Sequence, residues 1–160
     1  MLRLDIPQSA LKILDALEAA GFEAFVVGGC VRDALMGRTP NDWDITTSAR
    51  PEQIKAVAAD ADFKTIDTGI KHGTVTVIVN HEPFEVTTYR ADGTYTDGRH
   101  PDSIEFLNRI DGDLARRDFT INAMAYNPAR GLADRFGGQA DLEAGVLRAV
   151  GDPRERFTED

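Results

Sequence analysis

The sequence predicts an α/β protein, α+β in the sense that its sheet is mixed and flanked by helices. Helix-like and strand-like stretches interleave along all 160 residues. Short apolar runs rich in Val, Ile and Thr end at Gly, Pro or Asn, as strands do. No internal repeat replaces that alternation with a solenoid.

Residues 9–20 carry Leu11, Ile13, Leu14 and Leu17 at helical spacing, with Ser9 as the expected N-cap and Gly21 as the stop. "FEAFVVGG" reads as a buried strand ending in a Gly-Gly turn, and "CVRDALMG" as a short helix closed by Gly37. After a turn at Thr39-Pro40-Asn41, "DWDITT" reads as an alternating strand. "RPEQIKAVAADA" is a helix opened by Pro51. "FKTI", "GTVTVIVN" and "PFEVTTYR" are three further strands, the last two joined by a turn at His81-Glu82-Pro83. Residues 91–102 form a polar loop, either a plain solvated one or a flap. A helix is expected through "GDLARRDFTINAMAYN", then a short helix at "QADLEAG", a strand at "VLRAVG" and a new helix from "DPRERFTED".

Composition narrows the function. A hydrophobic content of 42% supports a real core, and no apolar run approaches the length of a membrane span. The N-terminus lacks the features of a signal peptide. Cys30 is the one cysteine, which excludes an internal disulfide and fits a reducing cytoplasm. A net charge of −9 argues against a broad basic face for a long polyanion, but not against a phosphate ligand gripped by one or two arginines and a metal. His72, His81 and His100 are dispersed and lack metal-ligand spacing.

The chemistry concentrates in "GGCVRDALMGRTPNDWDITT". Residues i and i+2 of a strand share a face, so Asp42 and Asp44 present two carboxylates together. Their repulsion is relieved by a divalent cation, and Mg²⁺ typically takes one or two carboxylates plus phosphate and water. Gly28-Gly29 lets backbone approach a phosphate closely, the helix start offers free amides, and Arg32 adds a guanidinium fork. Glu85 alternates with Phe84 and Val86, which makes it a third ligand or a base for an attacking hydroxyl. Each motif alone also fits an ordinary solvated surface. Cys30, lacking a paired base, reads as a small packed residue.

Together, that stretch, "FEVTTYR", "RRDFTINAMAYNP" and "FGGQADLEAGVLRAVGDPRERFTED" resemble the head of the class II tRNA nucleotidyltransferases, the family of CCA-adding enzymes and bacterial poly(A) polymerases. The resemblance implies a DNA polymerase β-like nucleotidyltransferase head over residues 1–150, with 151–160 starting a neck helix. It implies an RNA nucleotidyltransferase that moves CMP or AMP from CTP or ATP to the 3′-hydroxyl of tRNA by a two-metal mechanism. Asp42 and Asp44 would hold Mg²⁺ with Glu85 beside them; Gly28, Gly29, Arg32, Arg117, Asp118 and Asn122 would bind the nucleotide. On a continuous helix Arg117 and Ile121, and likewise Asp118 and Asn122, lie four apart along a polar edge, with Arg116 turned away. The family's base-reading motif is Glu-Asp, two residues, Arg; this chain supplies Glu159 and Asp160 and then stops. Neck, body and tail segments that hold tRNA would lie elsewhere. Alternatives are a poly(A) polymerase, a CC- or A-adding enzyme, or a nucleotide-binding module without full activity.

Overall fold

A computed structural model describes residues 3–69, 72–92 and 104–151. Helix α1 spans Gln8–Ala19, α2 Gly29–Leu35, α3 Pro51–Asp60, α4 Ile110–Ala115 and α5 Gly138–Ala144. The strands are β1 Ala24–Val27, β2 Asp44–Thr47, β3 Lys64–Gly69, β4 Thr74–Val79, β5 Glu82–Thr88, β6 Arg90–Asp92, β7 Ile104–Phe106, β8 Ala125–Asn127 and β9 Gly131–Ala133. Seven of them form one sheet in the order β3-β4-β5-β2-β1-β8-β9, and β6 pairs with β7. Only β2 and β5 run parallel; the other neighbours are antiparallel, so the sheet is mixed as expected.

Strand β1 is buried on both faces, which is why its sequence is uninterrupted Ala-Phe-Val-Val. Val26 enters a core with Leu14 and Leu17 of α1, Ile54 of α3 and the β4 valines. Phe25 and Val27 enter a second core with Leu114, Tyr89 and Ala125. Leu14 and Leu17, each 1% exposed, contribute roughly 1.5–3 kcal/mol apiece by leaving water.

Several expected elements shift, for local reasons. Ser9 is not the cap: Pro7 holds that position and Ser9 is buried inside α1. Strand β2 begins at Asp44, and Ile45, Thr46 and Thr47 are all buried, so it does not alternate. Thr46 and Thr47 tolerate this because their hydroxyls donate to the carbonyls of Thr87 and Glu23. The β4–β5 turn lies one residue earlier than expected. Val79 pairs with Glu82 across Asn80 and His81, whose φ values of 51° and 68° make a two-residue turn.

The largest correction falls on residues 112–127. Instead of one helix there is α4, a 3-10 turn over Thr120–Asn122 and then strand β8. Phe119 is extended at φ −125° and bridges Ala149, so the helix cannot continue past it. Met124, Ala125 and Tyr126 are buried in succession because β8 extends the sheet beside β1. Their apolar spacing matched a helical period, and pairing with β1 overrode it. "VLRAVG" is no strand beyond that single Phe119–Ala149 bridge. Of the expected loop, residues 91–92 belong to β6; positions 93–102, and the helix expected from 152 onward, lie outside the described residues.

Candidate functional site

All nine residues singled out in the sequence line one of two cavities at the carboxyl end of β1 and the start of β2. The first, about 400 Å³, is walled by Asp42, Asp44 and Glu85 with Trp43, Thr76, Pro83 and Phe84. The second, about 440 Å³, is walled by Gly28, Gly29, Arg32, Arg117, Asp118 and Asn122, and also by Arg116.

Sheet register builds the acidic cavity. Parallel pairing of Ile45 with Val86 sets Asp44 level with Glu85, and Ile45, Phe84 and Val86 all point into the α1/α3 core. Asp44 and Glu85 therefore share the opposite face. Asp42 precedes the strand, yet it reaches the same cavity. Although Asp44 is open to the cavity, burial raises its pKa above the ordinary carboxylate value; the charges of Glu85 and Asp42 raise it further, while Arg117 opposes them. The site thus gathers negative charge that Arg117 offsets only in part. Among the described residues no group of three or more His, Cys, Asp or Glu side chains is placed to hold a metal ion. An open carboxylate wall suits a hard divalent cation that completes its shell with phosphate oxygens and water.

The basic cavity begins at the Gly-Gly turn. Gly28 has φ 84° and ψ −137°, a conformation open essentially to glycine alone. A Cβ there would also stand 3.3 Å from Arg117 Nη1, so the missing side chain lets the guanidinium approach the turn. Arg32 donates through Nη1 to Asn122 Oδ1 at 2.7 Å, and through Nε to Asp33 at 3.1 Å. Asn122 thereby orients Arg32 across ninety residues of sequence. Arg117 Nη2 donates to Asp113 Oδ2 at 3.3 Å, while its buried Nε has no hydrogen-bond partner among the described residues. Burial, then the neighbouring Arg116 charge, lower the Arg117 pKa; Asp113 and Asp44 pull it back up. That mutual influence of Arg117 and Asp44 links the two cavities.

Because no helix runs through residues 112–127, the expected polar edge of Arg117, Asp118, Ile121 and Asn122 does not exist as such. Arg117 and Asp118 stand in the bend after α4, and Asn122 in the 3-10 turn. Nor does Arg116 turn away: it closes α4 and lines the same cavity. Sequence reasoning missed Asp113 as well. The signal was present in "GDLARRD", where Asp113 sits three and four residues before the two arginines. Cys30 is a packed thiol, as expected. Its Sγ donates to the Val27 carbonyl at 3.2 Å, and burial pushes its pKa up to about 11.

Residues 24–148 match the poly A polymerase head domain. A curated CCA-adding enzyme from Lactobacillus helveticus is 51% identical over 156 residues, covering 98% of this chain and 38% of that protein. This chain therefore spans less than two-fifths of its relative. The crystal structure of the Bacillus stearothermophilus CCA-adding enzyme in complex with CTP superposes with a TM-score of 0.83 at 42% identity, over 96% of this chain and 35% of that one. A tRNA nucleotidyltransferase complexed with a primer tRNA and an incoming ATP analog gives a TM-score of 0.68 at 29% identity, over 87% and 39% of the two chains. No described helix is long and apolar enough to cross a membrane. With the matched segment covering most of its length, the chain belongs to the poly A polymerase head-domain family.

Proposed function

We propose that the protein transfers a nucleotidyl group from CTP or ATP to the 3′-hydroxyl of a tRNA that lacks its CCA end. The observation that carries this reading is the adjacency of a carboxylate cavity and an arginine cavity on a head shared with CCA-adding enzymes. The CTP complex and the primer-tRNA complex of its relatives favour CCA addition over poly(A) synthesis.

Asp42 and Asp44 would hold Mg²⁺, with Glu85 beside them. When bound, Mg²⁺ supplies Lewis acidity that makes the 3′-hydroxyl a better nucleophile and balances the triphosphate charge. Arg32 and Arg117 grip the triphosphate through planar donor forks, and Gly28 and Gly29 let it approach the backbone. Asn122 keeps Arg32 aimed, and Asp118 takes the ribose edge. Attack of the hydroxyl on the α-phosphorus forms the new phosphodiester and releases pyrophosphate, whose growing charge the arginines stabilise. Incubation with labelled CTP, Mg²⁺ and a tRNA ending before CCA tests the proposal. Metal-dependent incorporation of C is expected; a protein that binds CTP and never extends the RNA would refute it.

A further inference from the structure

Asp113 of α4 has a carboxylate with no solvent exposure, yet four donors converge on it. Oδ1 accepts from the Arg90 backbone N–H at 3.1 Å and from Arg116 Nε at 3.4 Å. Oδ2 accepts from Arg117 Nη2 at 3.3 Å and lies 3.4 Å from the Thr46 hydroxyl, whose single proton is shared with the Thr87 carbonyl. Thr46 is two residues beyond Asp44 on the same strand face, Arg90 opens β6, and the two arginines line the basic cavity. One buried anion thus ties the carboxylate strand to the arginines opposite it.

Stability alone gives little reason for this choice, because apolar replacements of buried ion pairs are often neutral or stabilising. A buried anion does fix the direction of two guanidinium groups, each on a side chain only 20% exposed. The Arg117 edge not used by Asp113 is turned toward the cavity: its Nη1 faces the bare Cα of Gly28. We infer that Asp113 is a positioning residue, which holds Arg116 and Arg117 ready for a nucleoside triphosphate in fixed relation to Asp44. This rests on reading the basic cavity as a triphosphate grip.

The test follows the arginine Nε–Hε resonances by NMR without ligand, then titrates ATP and Mn²⁺ separately into the full-length protein and its Asp113→Asn variant. In the wild type, Arg116 and Arg117 should be ordered while the exposed Arg38 averages freely. In Asp113→Asn both signals should shift or broaden, and ATP affinity should fall about tenfold to a hundredfold. Mn²⁺ affinity should change by less than about twofold, since no metal-site carboxylate is touched; a purely structural role would instead weaken both ligands together. Wild-type Arg117 as mobile as Arg38 would overturn the inference, and it needs no variant to fold. So would a folded Asp113→Asn that keeps ordered arginines and full ATP affinity. A wild type with ordered arginines and no ATP binding would support the ordering and sink the triphosphate reading, so the two failures are separable.

Discussion

The two cavities are built on opposite plans. The basic one is cross-linked before any ligand arrives: Asn122 holds Arg32, and Asp113 holds Arg116 and Arg117. The acidic one is left electrostatically open, with Asp44 raised by burial and by the charges of Glu85 and Asp42. On the proposed reading, the difference divides a phosphate reaction. Recognition of the triphosphate would be preorganised in protein bonds, which lowers the ordering cost of binding. Neutralisation of the carboxylates would be deferred to a cation that comes with the substrate. A loss on the basic side should therefore appear first as lost affinity, and a loss on the acidic side as lost chemistry.

The largest effect on the basic side is expected from Gly28→Ala. It forces a side chain into a positive-φ conformation, costing roughly 1–3 kcal/mol, and crowds Arg117 Nη1. Nucleotide titration should show affinity lost by more than about tenfold, and calorimetry a lower melting temperature. A variant that keeps both would mean the turn is not what admits Arg117.

Arg117→Lys should follow. The planar fork is lost although the charge remains, and about 1.5–3 kcal/mol of nucleotide binding should go with it, roughly tenfold to a hundredfold. Arg116→Lys should also weaken ATP, because Arg116 shares the cavity and the carboxylate, by about threefold to tenfold. Equal and negligible effects on the measured dissociation constants would reduce both arginines to surface charges.

On the acidic side a stability measurement sharpens the contrast. Asp44 has a folded-state pKa raised above 3.8, so its ionised form opposes folding at neutral pH. That cost is present above the raised pKa and is relieved as pH falls through it. Without divalent cation, Asp44→Asn should melt higher at pH 7, by roughly 1–4 °C, and the gain should vanish at low pH. A lower melting temperature at pH 7 would show that Asp44 is compensated after all.

The smallest effect is expected at Cys30, buried in α2. With its pKa at about 11, the native thiol should resist iodoacetamide at pH 8, and Cys30→Ala should leave nucleotide affinity unchanged. Rapid labelling of folded protein would contradict the packed environment.

How legible the site was in the sequence depended on how local each part is. Asp42, Asp44, Gly28, Gly29 and Arg32 lie within one short stretch, and β1–β2 pairing only had to fold that stretch back on itself. Glu85 needed only strand parity, although its parallel neighbour could not be known from sequence. The segment after α4 was harder. The spacing of Phe119, Ile121, Met124 and Ala125 suits a helix, and the competing force was the open edge of β1, which recruits β8 from far along the chain. That error displaced Arg116 and obscured Asp113. Its contacts with Arg116 and Arg117 follow the three- and four-residue spacing visible in "GDLARRD", but those with Thr46 of β2 and Arg90 of β6 come from distant strands and have no periodic signature.

The most direct measurement compares single-turnover transfer with nucleotide affinity in Asp44→Asn, using labelled CTP, Mg²⁺ and a tRNA ending before CCA. If carboxylates serve chemistry while arginines serve recognition, transfer should fall by about a thousandfold or more, the several kcal/mol a catalytic metal supplies. CTP affinity measured without metal should stay within about threefold of wild type. Transfer that survives in Asp44→Asn, or CTP affinity that falls in step with it, would contradict the division between the two cavities.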